Sequence, residues 1–462
     1  MGIVLLAAAV GLHISGIGKG HKSAVPYPCG LNPCRAAKTP IPLRGYEGAY
    51  LAADPKAPNH VVVADTDLVA AKCGWHTTFD NGKTWIDGYF TLPSGFTGCH
   101  INAPSGGHVP SGSVGFGTFG QIYAVFGSAR AVDATRESVL VAQSIDGGRT
   151  FLPAAVAQSP PDGYGYGRPL MTVGRGPTGK DVLLLSFWAC HRTSQGTACD
   201  QALFSRSDDA GTTYGTPVQV SVPPPGQTPP AITAGQNPSQ TVAGPDGTLY
   251  ETFQQRFADN HVDLFLAKSA DGGATWTQSK IDTENGLGLN YDPAKLAIDP
   301  KNGALYTAWS DSRTATQQIF FRKSTDKGAT WSQAKLLSPD EQRFSGNSRS
   351  PSISVAPDGR VDVAYYYTGP ETPKLDDVWL DSTSDGGITF QIHQVNPKPI
   401  DRTLGYSGPA GSLGLVGNHY PPNVFSLDNS ADVVWSDTLH ATSLTQTQDT
   451  EFRTITFGLA KI

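Results

Sequence analysis

The stretch Ser269-Ala-Asp271-Gly-Gly273-Ala-Thr275-Trp276 decides how this chain is read, because five other segments repeat its pattern, Ser/Thr-x-Asp-x-Gly-x-Thr-aromatic. The copies are Thr78 to Trp85 (TFDNGKTW), Ser144 to Phe151 (SIDGGRTF), Ser207 to Tyr214 (SDDAGTTY), Ser324 to Trp331 (STDKGATW) and Thr383 to Phe390 (TSDGGITF). Their aspartates, Asp80, Asp146, Asp209, Asp271, Asp326 and Asp385, are 66, 63, 62, 55 and 59 residues apart. Near-regular self-similarity marks a repeat architecture, and this period fits one four-stranded unit per copy. Each copy has the chemistry of a tight hairpin. The carboxylate accepts backbone N–H groups, Gly takes a positive φ, and the closing aromatic packs beneath. These aspartates are turn devices rather than catalytic groups.

Strands surround each copy. In the fifth unit Lys295 to Ile298, Ala304 to Trp309 and Gln318 to Lys323 read as first, second and third strands, with Asn302-Gly303 turning the first pair. The fourth unit repeats this with Gln240 to Gly247, Leu249 to Gln254 and Leu264 to Lys268, and the sixth with Ile353 to Gly359, Val361 to Tyr367 and Val378 to Ser382. A seventh unit, Asn423 to Asn429, Asp432 to Trp435 and Phe452 to Gly458, has three strands and no turn copy. Lys38 to Leu43 could supply its outer strand and close a ring, which removes exposed sheet edges. The expected fold is therefore all-β, a seven-bladed β-propeller, with six blades as the alternative.

Composition agrees. Of 462 residues, 52 are Gly and 35 Pro, too many for a helical bundle. Charged residues at 16% beside 39% hydrophobic residues argue against disorder. A net charge of −6 without long basic runs offers no footprint for nucleic acid. Gly115-Phe-Gly117-Thr-Phe-Gly120 fits a dinucleotide-binding pattern but runs into the strand Gln121 to Phe126, so it reads as glycine punctuation.

Ile3 to Leu12 is a ten-residue apolar run, short for a membrane span and suited to a signal-peptide core or, since no basic residues precede it, to an ordinary buried strand. Residues 1–28 read as export signal and linker, and 29–462 as one propeller domain. Six cysteines, Cys29, Cys34, Cys73, Cys99, Cys190 and Cys199, allow fifteen pairings, of which neighbour pairing is the simplest. An even count behind an export-like start points to disulfides and a secreted or cell-envelope location. No metal-ligand spacing is present, and neither metal nor cofactor is expected.

The repeated turn resembles the Asp-box, or BNR-repeat, of the sialidase superfamily propellers, over nearly the whole chain after about residue 40. That resemblance implies boxes between third and fourth strands and an active mouth on the opposite face. Loops after second strands and loops leading into first strands would line it. Two Trp-Ser-Asp motifs place Asp311 and Asp437 there as an acid/base pair, or alternatively as caps of their own loops. Tyr367 with Glu371 could mimic the family's tyrosine–glutamate nucleophile, with Glu251 a second partner. Arg130, Arg168, Arg192, Arg256, Arg313, Arg349 and Arg402 would recognise a carboxylated sugar. Tyr164, Tyr166, Asn290, Tyr291, Asn418, His419 and Tyr420 would stack on or hydrogen-bond to it.

The family's Phe/Tyr-Arg-Ile-Pro motif is absent; the nearest approach is Pro42-Leu-Arg44-Gly45. Leu415 to Tyr420 resembles a Gly-Asp-Tyr run of secreted bacterial sialidase-like proteins, with Asn418 replacing the acid and His419 inserted. Function is accordingly expected to be that of an exported sialidase-like glycoside hydrolase acting on anionic glycans. The alternative is a non-catalytic propeller binding a glycan or a protein at the cell surface. A monomer is expected, with a glycan or glycoconjugate as partner.

Overall fold

In the computed structural model the units fold into seven antiparallel sheets arranged as a β-propeller. The structure describes residues 46–457 except 68–69, 71, 99–111, 132, 177, 195, 222–238, 258–260, 285–293, 315, 338–344, 405–420 and 443–448. The expected export segment and the candidate closing strand Lys38 to Leu43 lie outside the described residues. The blades span 46–89, 112–158, 164–219, 242–284, 295–337, 347–394 and 423–456. Blades 1 to 5 are four-stranded meanders, blade 6 gains Ile400–Asp401 as an extra pair, and blade 7 has three strands among the described residues.

Second strands are apolar on both faces because each blade is covered by two neighbours. In blade 5, Leu305 and Trp309 pack with Tyr250 and Leu264 of blade 4, while Tyr306 and Ala308 pack with Val363 and Tyr365 of blade 6. Period-two alternation sends successive side chains into opposite seams. Seven buried clusters result, one per seam. The last joins Ala49, Leu51, Val61 and Val63 of blade 1 to Leu427, Val434 and Phe452 of blade 7, so apolar packing closes the ring. Leu51 N–H donates across that seam to Asn423 Oδ1 at 3.0 Å.

The repeated turns lie between third and fourth strands, as Val262–Ser269 and Thr277–Glu284 show in blade 4. Asp271 accepts the Thr275 N–H at 2.9 Å and the Thr275 hydroxyl at 2.5 Å. The Ser269 hydroxyl accepts Gly273 N–H at 2.8 Å. All six copies repeat these bonds. In blade 3 they hold the Asp209 carboxyl at about 2, the Thr213 hydroxyl contributing most. Glycine is required twice over at Gly273. Its φ is +98°, and a Cβ there would sit 2.0 Å from Phe204 of blade 3. The following Trp276 meets the same Phe204 with ring centroids 5.2 Å apart. Each turn thus finishes its own hairpin and locks onto the preceding blade.

Candidate functional site

Loops after second strands and loops leading into first strands share the face opposite the repeated turns, and the ends of the second strands bring Asp311 and Asp437 to it. The innermost strands line a small axial cavity of about 50 Å³, bordered by Tyr50, Leu170, Gln240, Lys295, Ser352 and Asn423, among others. Gln240 is fixed there, donating to Met171 O at 2.5 Å and Thr172 Oγ1 at 3.0 Å.

The two Trp-Ser-Asp aspartates fall into different seams. Asp311 faces blade 4 and is buried; Arg313 Nε donates to it at 2.7 Å and Arg313 N–H at 2.8 Å. The same guanidinium reaches Asp282 at 3.4 Å and lies over the Phe320 ring. Asp437 faces blade 6. Trp435 Nε1 donates to it at 2.9 Å and Thr438 N–H at 2.6 Å. Burial raises its pKa against those bonds.

Around Asp437 the structure assembles residues that the strand pattern alone does not reveal. Asp437 pairs in register with Asp449, and Trp435 with Glu451, so both carboxyl residues of the third strand share its face. Glu451 is 9% exposed and has no hydrogen-bond partner among the described residues. Burial first, then the charges of Asp437 and Asp449, push its carboxyl up to about 8. Asp449 is also raised by burial, while His440 Nδ1 bonds it at 2.8 Å. On the blade 6 side, buried Arg349 pairs with Asp376 and donates to Thr368 Oγ1 at 2.6 Å. Arg402 approaches the same Asp376 at 3.4 Å. Between the groups lies Tyr366, whose hydroxyl accepts Ser436 N–H at 3.3 Å and whose ring lies 5.8 Å from the Arg349 guanidinium.

The other candidates are dispersed. Tyr367 points into the opposite seam, toward blade 5, and covers Gly346. Glu371 is exposed in the turn beyond it. Glu251 is fully buried, accepting from Thr241 at 2.6 Å and Ser186 at 3.0 Å, and burial raises it to about 8. Arg130 lies over Phe96, and Arg168, at φ +47°, lies over Trp188. Arg192 is exposed. Tyr166 is buried and Tyr164 meets His191 with ring centroids 5.0 Å apart, the planes tilted by 42°. The Arg256 side chain, Asn290, Tyr291, Asn418, His419 and Tyr420 lie outside the described residues. Cys190 and Cys199 form a disulfide on blade 3, and Cys73 is also disulfide-bonded; Cys29, Cys34 and Cys99 lie outside the described residues.

Sequence reading missed Glu451, Asp449 and Tyr366. Period-two alternation from Tyr365 would have separated Tyr366 from Tyr367. For Glu451 the signal was a second acid two residues after Asp449, on the same face of the third strand.

These features define a seven-bladed β-propeller with an acidic and arginine-bearing seam at its mouth. No family model and no curated protein matches the sequence. Among solved structures the chain is similar to an ulvan lyase of polysaccharide lyase family 25, bound to -[GlcA(1-4)Rha3S]-, at 11% identity and TM-score 0.55, covering 90% of this chain and 94% of that one. It is also similar to a protein of unknown function from Dyadobacter fermentans, at 16% identity and TM-score 0.54, covering 80% and 97%. A Hadza microbial sialidase, Hz136, matches at 16% identity and TM-score 0.48, covering 87% and 74%. At these identities the likeness is one of fold.

Proposed function

We propose that the protein is an exported, sialidase-like carbohydrate-active propeller that hydrolyses glycosidic bonds of anionic glycans in the mouth between blades 6 and 7. One observation carries the reading: Glu451, without a donor to stabilise its charge, stands beside Asp437, which has several. The proton therefore resides on Glu451 near neutral pH, and two carboxyl groups with different proton affinities divide acid and base roles. Glu451 gives its proton to the leaving-group oxygen as the anomeric C–O bond breaks. Asp437 takes a proton from the water that attacks the anomeric carbon. Arg402 and His440 attract the ligand's anionic group, while Arg349 and Asp376 form a buried pair that fixes the blade 6 side. The N-terminal apolar run and the disulfides support export.

Binding without turnover is the second reading. It is favoured by Asp311, whose carboxylate is closed off by Arg313 and so is withdrawn from acid/base work. Purified protein, Glu451→Gln and Asp437→Asn are tested for binding and product release on sialosides, uronides and sulfated uronans. Loss of a proton donor lowers turnover by about 10²- to 10⁴-fold with binding retained. Binding by the unmodified protein without release establishes the second reading. Neither binding nor release refutes both.

A further inference from the structure

The face bearing the repeated turns differs from blade to blade. The position between Ser/Thr and Asp is exposed in all six copies and is occupied by Phe79, Ile145, Asp208, Ala270, Thr325 and Ser384. Only the adjacent blades 1 and 2 put large apolar groups there, Ile145 being 70% exposed. Blade 2 adds Phe119, 57% exposed, in the turn between its first two strands, where blades 4 and 6 have Pro-Asp-Gly.

These groups form one patch. His60 stacks on Phe79 at 4.4 Å and bonds Gly147 O at 2.8 Å, joining blade 1 to the blade 2 turn that holds Ile145. The Arg149 guanidinium lies 4.1 Å from the Phe79 centroid. Lys56 Nζ reaches Thr118 O at 3.3 Å beside Phe119, and Arg175 flanks the Phe119 ring at 6.0 Å.

Lys56, Lys83, Arg149, Arg175 and Lys180 are exposed, and none has an acidic side-chain partner among the described residues. The nearby acids are committed elsewhere: Asp54 to Lys56 N–H, Asp80 and Asp146 within their turns, and Asp87 to His76. A chain of net charge −6 thus carries five cations without ion-pair partners around exposed apolar tips, in excess over the ionised Asp54, Asp80 and Asp146 beside them.

We propose that this face docks on an anionic lipid bilayer, with Phe119 and Ile145 entering the headgroup region and the five cations meeting lipid phosphates. Charge complementarity selects this occupant. A second copy related by a two-fold axis would set the same cations against each other. A soluble anionic polymer would satisfy the cations and leave the apolar tips in water. Docked this way, the propeller turns its mouth toward solution.

The test is co-sedimentation of the full chain with vesicles of mixed phosphatidylglycerol and phosphatidylcholine, and with phosphatidylcholine alone. The expected result is binding to the mixed vesicles only. Ile145→Ser with Phe119→Ser, and separately Arg149→Gln with Arg175→Gln, each weaken it by roughly tenfold or more. Circular dichroism and thermal melting confirm folding of the first pair, whose side chains are exposed. Three results overturn the proposal: no binding to mixed vesicles, equal binding by both double variants, or self-association in sedimentation velocity that the substitutions abolish while vesicles remain unbound. Retention on dextran sulfate without vesicle binding would also overturn it.

Discussion

Removing the proton from His76 should loosen the seam that closes the ring. His76 is buried on blade 1, its Nε2 3.1 Å from Asp65 and its Nδ1 2.7 Å from Asp87. Asp65 also accepts the Thr450 hydroxyl of blade 7 at 2.9 Å. Burial alone would lower the histidine's pKa, but the charges and hydrogen bonds of Asp65 and then Asp87 outweigh it and raise the value from 6.5 to about 9. A shift of roughly 2.5 at about 1.4 kcal/mol per pH unit corresponds to about 3 kcal/mol of folding free energy. The folded state binds this proton more tightly, so the contribution is complete below about pH 6.5 and disappears as pH rises through about 9.

Urea unfolding followed by tryptophan fluorescence, at pH values from 6 to 10, provides the assay. Glu251 and Glu451 near 8 and Asp432 near 7 titrate in the same range, so the unmodified protein alone cannot isolate His76. Its difference from His76→Gln can. Near pH 6 the variant should be less stable by about 3–5 kcal/mol, because Asp65 is left buried without its cation. The gap should narrow by about 3 kcal/mol toward pH 10. Parallel pH curves for the two proteins would refute the reasoning.

Two further substitutions test packing and covalent closure. Cys190→Ser with Cys199→Ser opens a link of sequence separation 9, which should lower unfolding free energy by about 2–3 kcal/mol in urea titrations at pH 7; an unchanged midpoint and slope would show that the hairpin is held by its ladder and Trp188 alone. Gly273→Ala, with φ +98° and a Cβ 2.0 Å from Phe204, should cost about 3 kcal/mol or more. Gly247→Ala has a similar φ of +82° but nothing within 4 Å, and should cost about 1–2 kcal/mol, so equal losses would remove the inter-blade clash from the account.

The fold was legible because its decisive interactions are local. An aspartate that bonds the threonine four residues on, and a glycine at positive φ, leave a fixed trace in sequence at every repeat. The opening serine or threonine was visible in every copy, but its role was not. The serine or threonine hydroxyl that accepts the glycine N–H looks like any turn residue until the bond is drawn. The mouth was less legible, because its contacts cross seams. Asp437 was found through Trp-Ser-Asp, but Glu451 and Asp449 come from the strand after a long connection, and Arg349, Asp376 and Arg402 from the neighbouring blade. Reading Tyr365-Tyr366-Tyr367 by position along the strand favoured Tyr367, whereas the seam is chosen by parity, which sends Tyr366 toward Asp437 and Tyr367 away.

The two Trp-Ser-Asp motifs show how little the motif itself determines. Both end a second strand at the mouth, and both bury their carboxylate. In blade 5 the residue two positions on is Arg313, which folds back on Asp311 and converts it into a closed ion pair braced by Asp282. In blade 7 the equivalent residue is Leu439, 39% exposed, so no cation returns. Asp437 instead relies on the indole N–H and on the backbone N–H groups of the residues after it, and shares its face with Asp449 and Glu451. The same three residues thus give a neutralised structural joint in one seam and an acid-rich cluster in the other. The difference lies in the residue after the motif and in the strand paired to it. Those positions, rather than the Trp-Ser-Asp signature, decide how each aspartate is held.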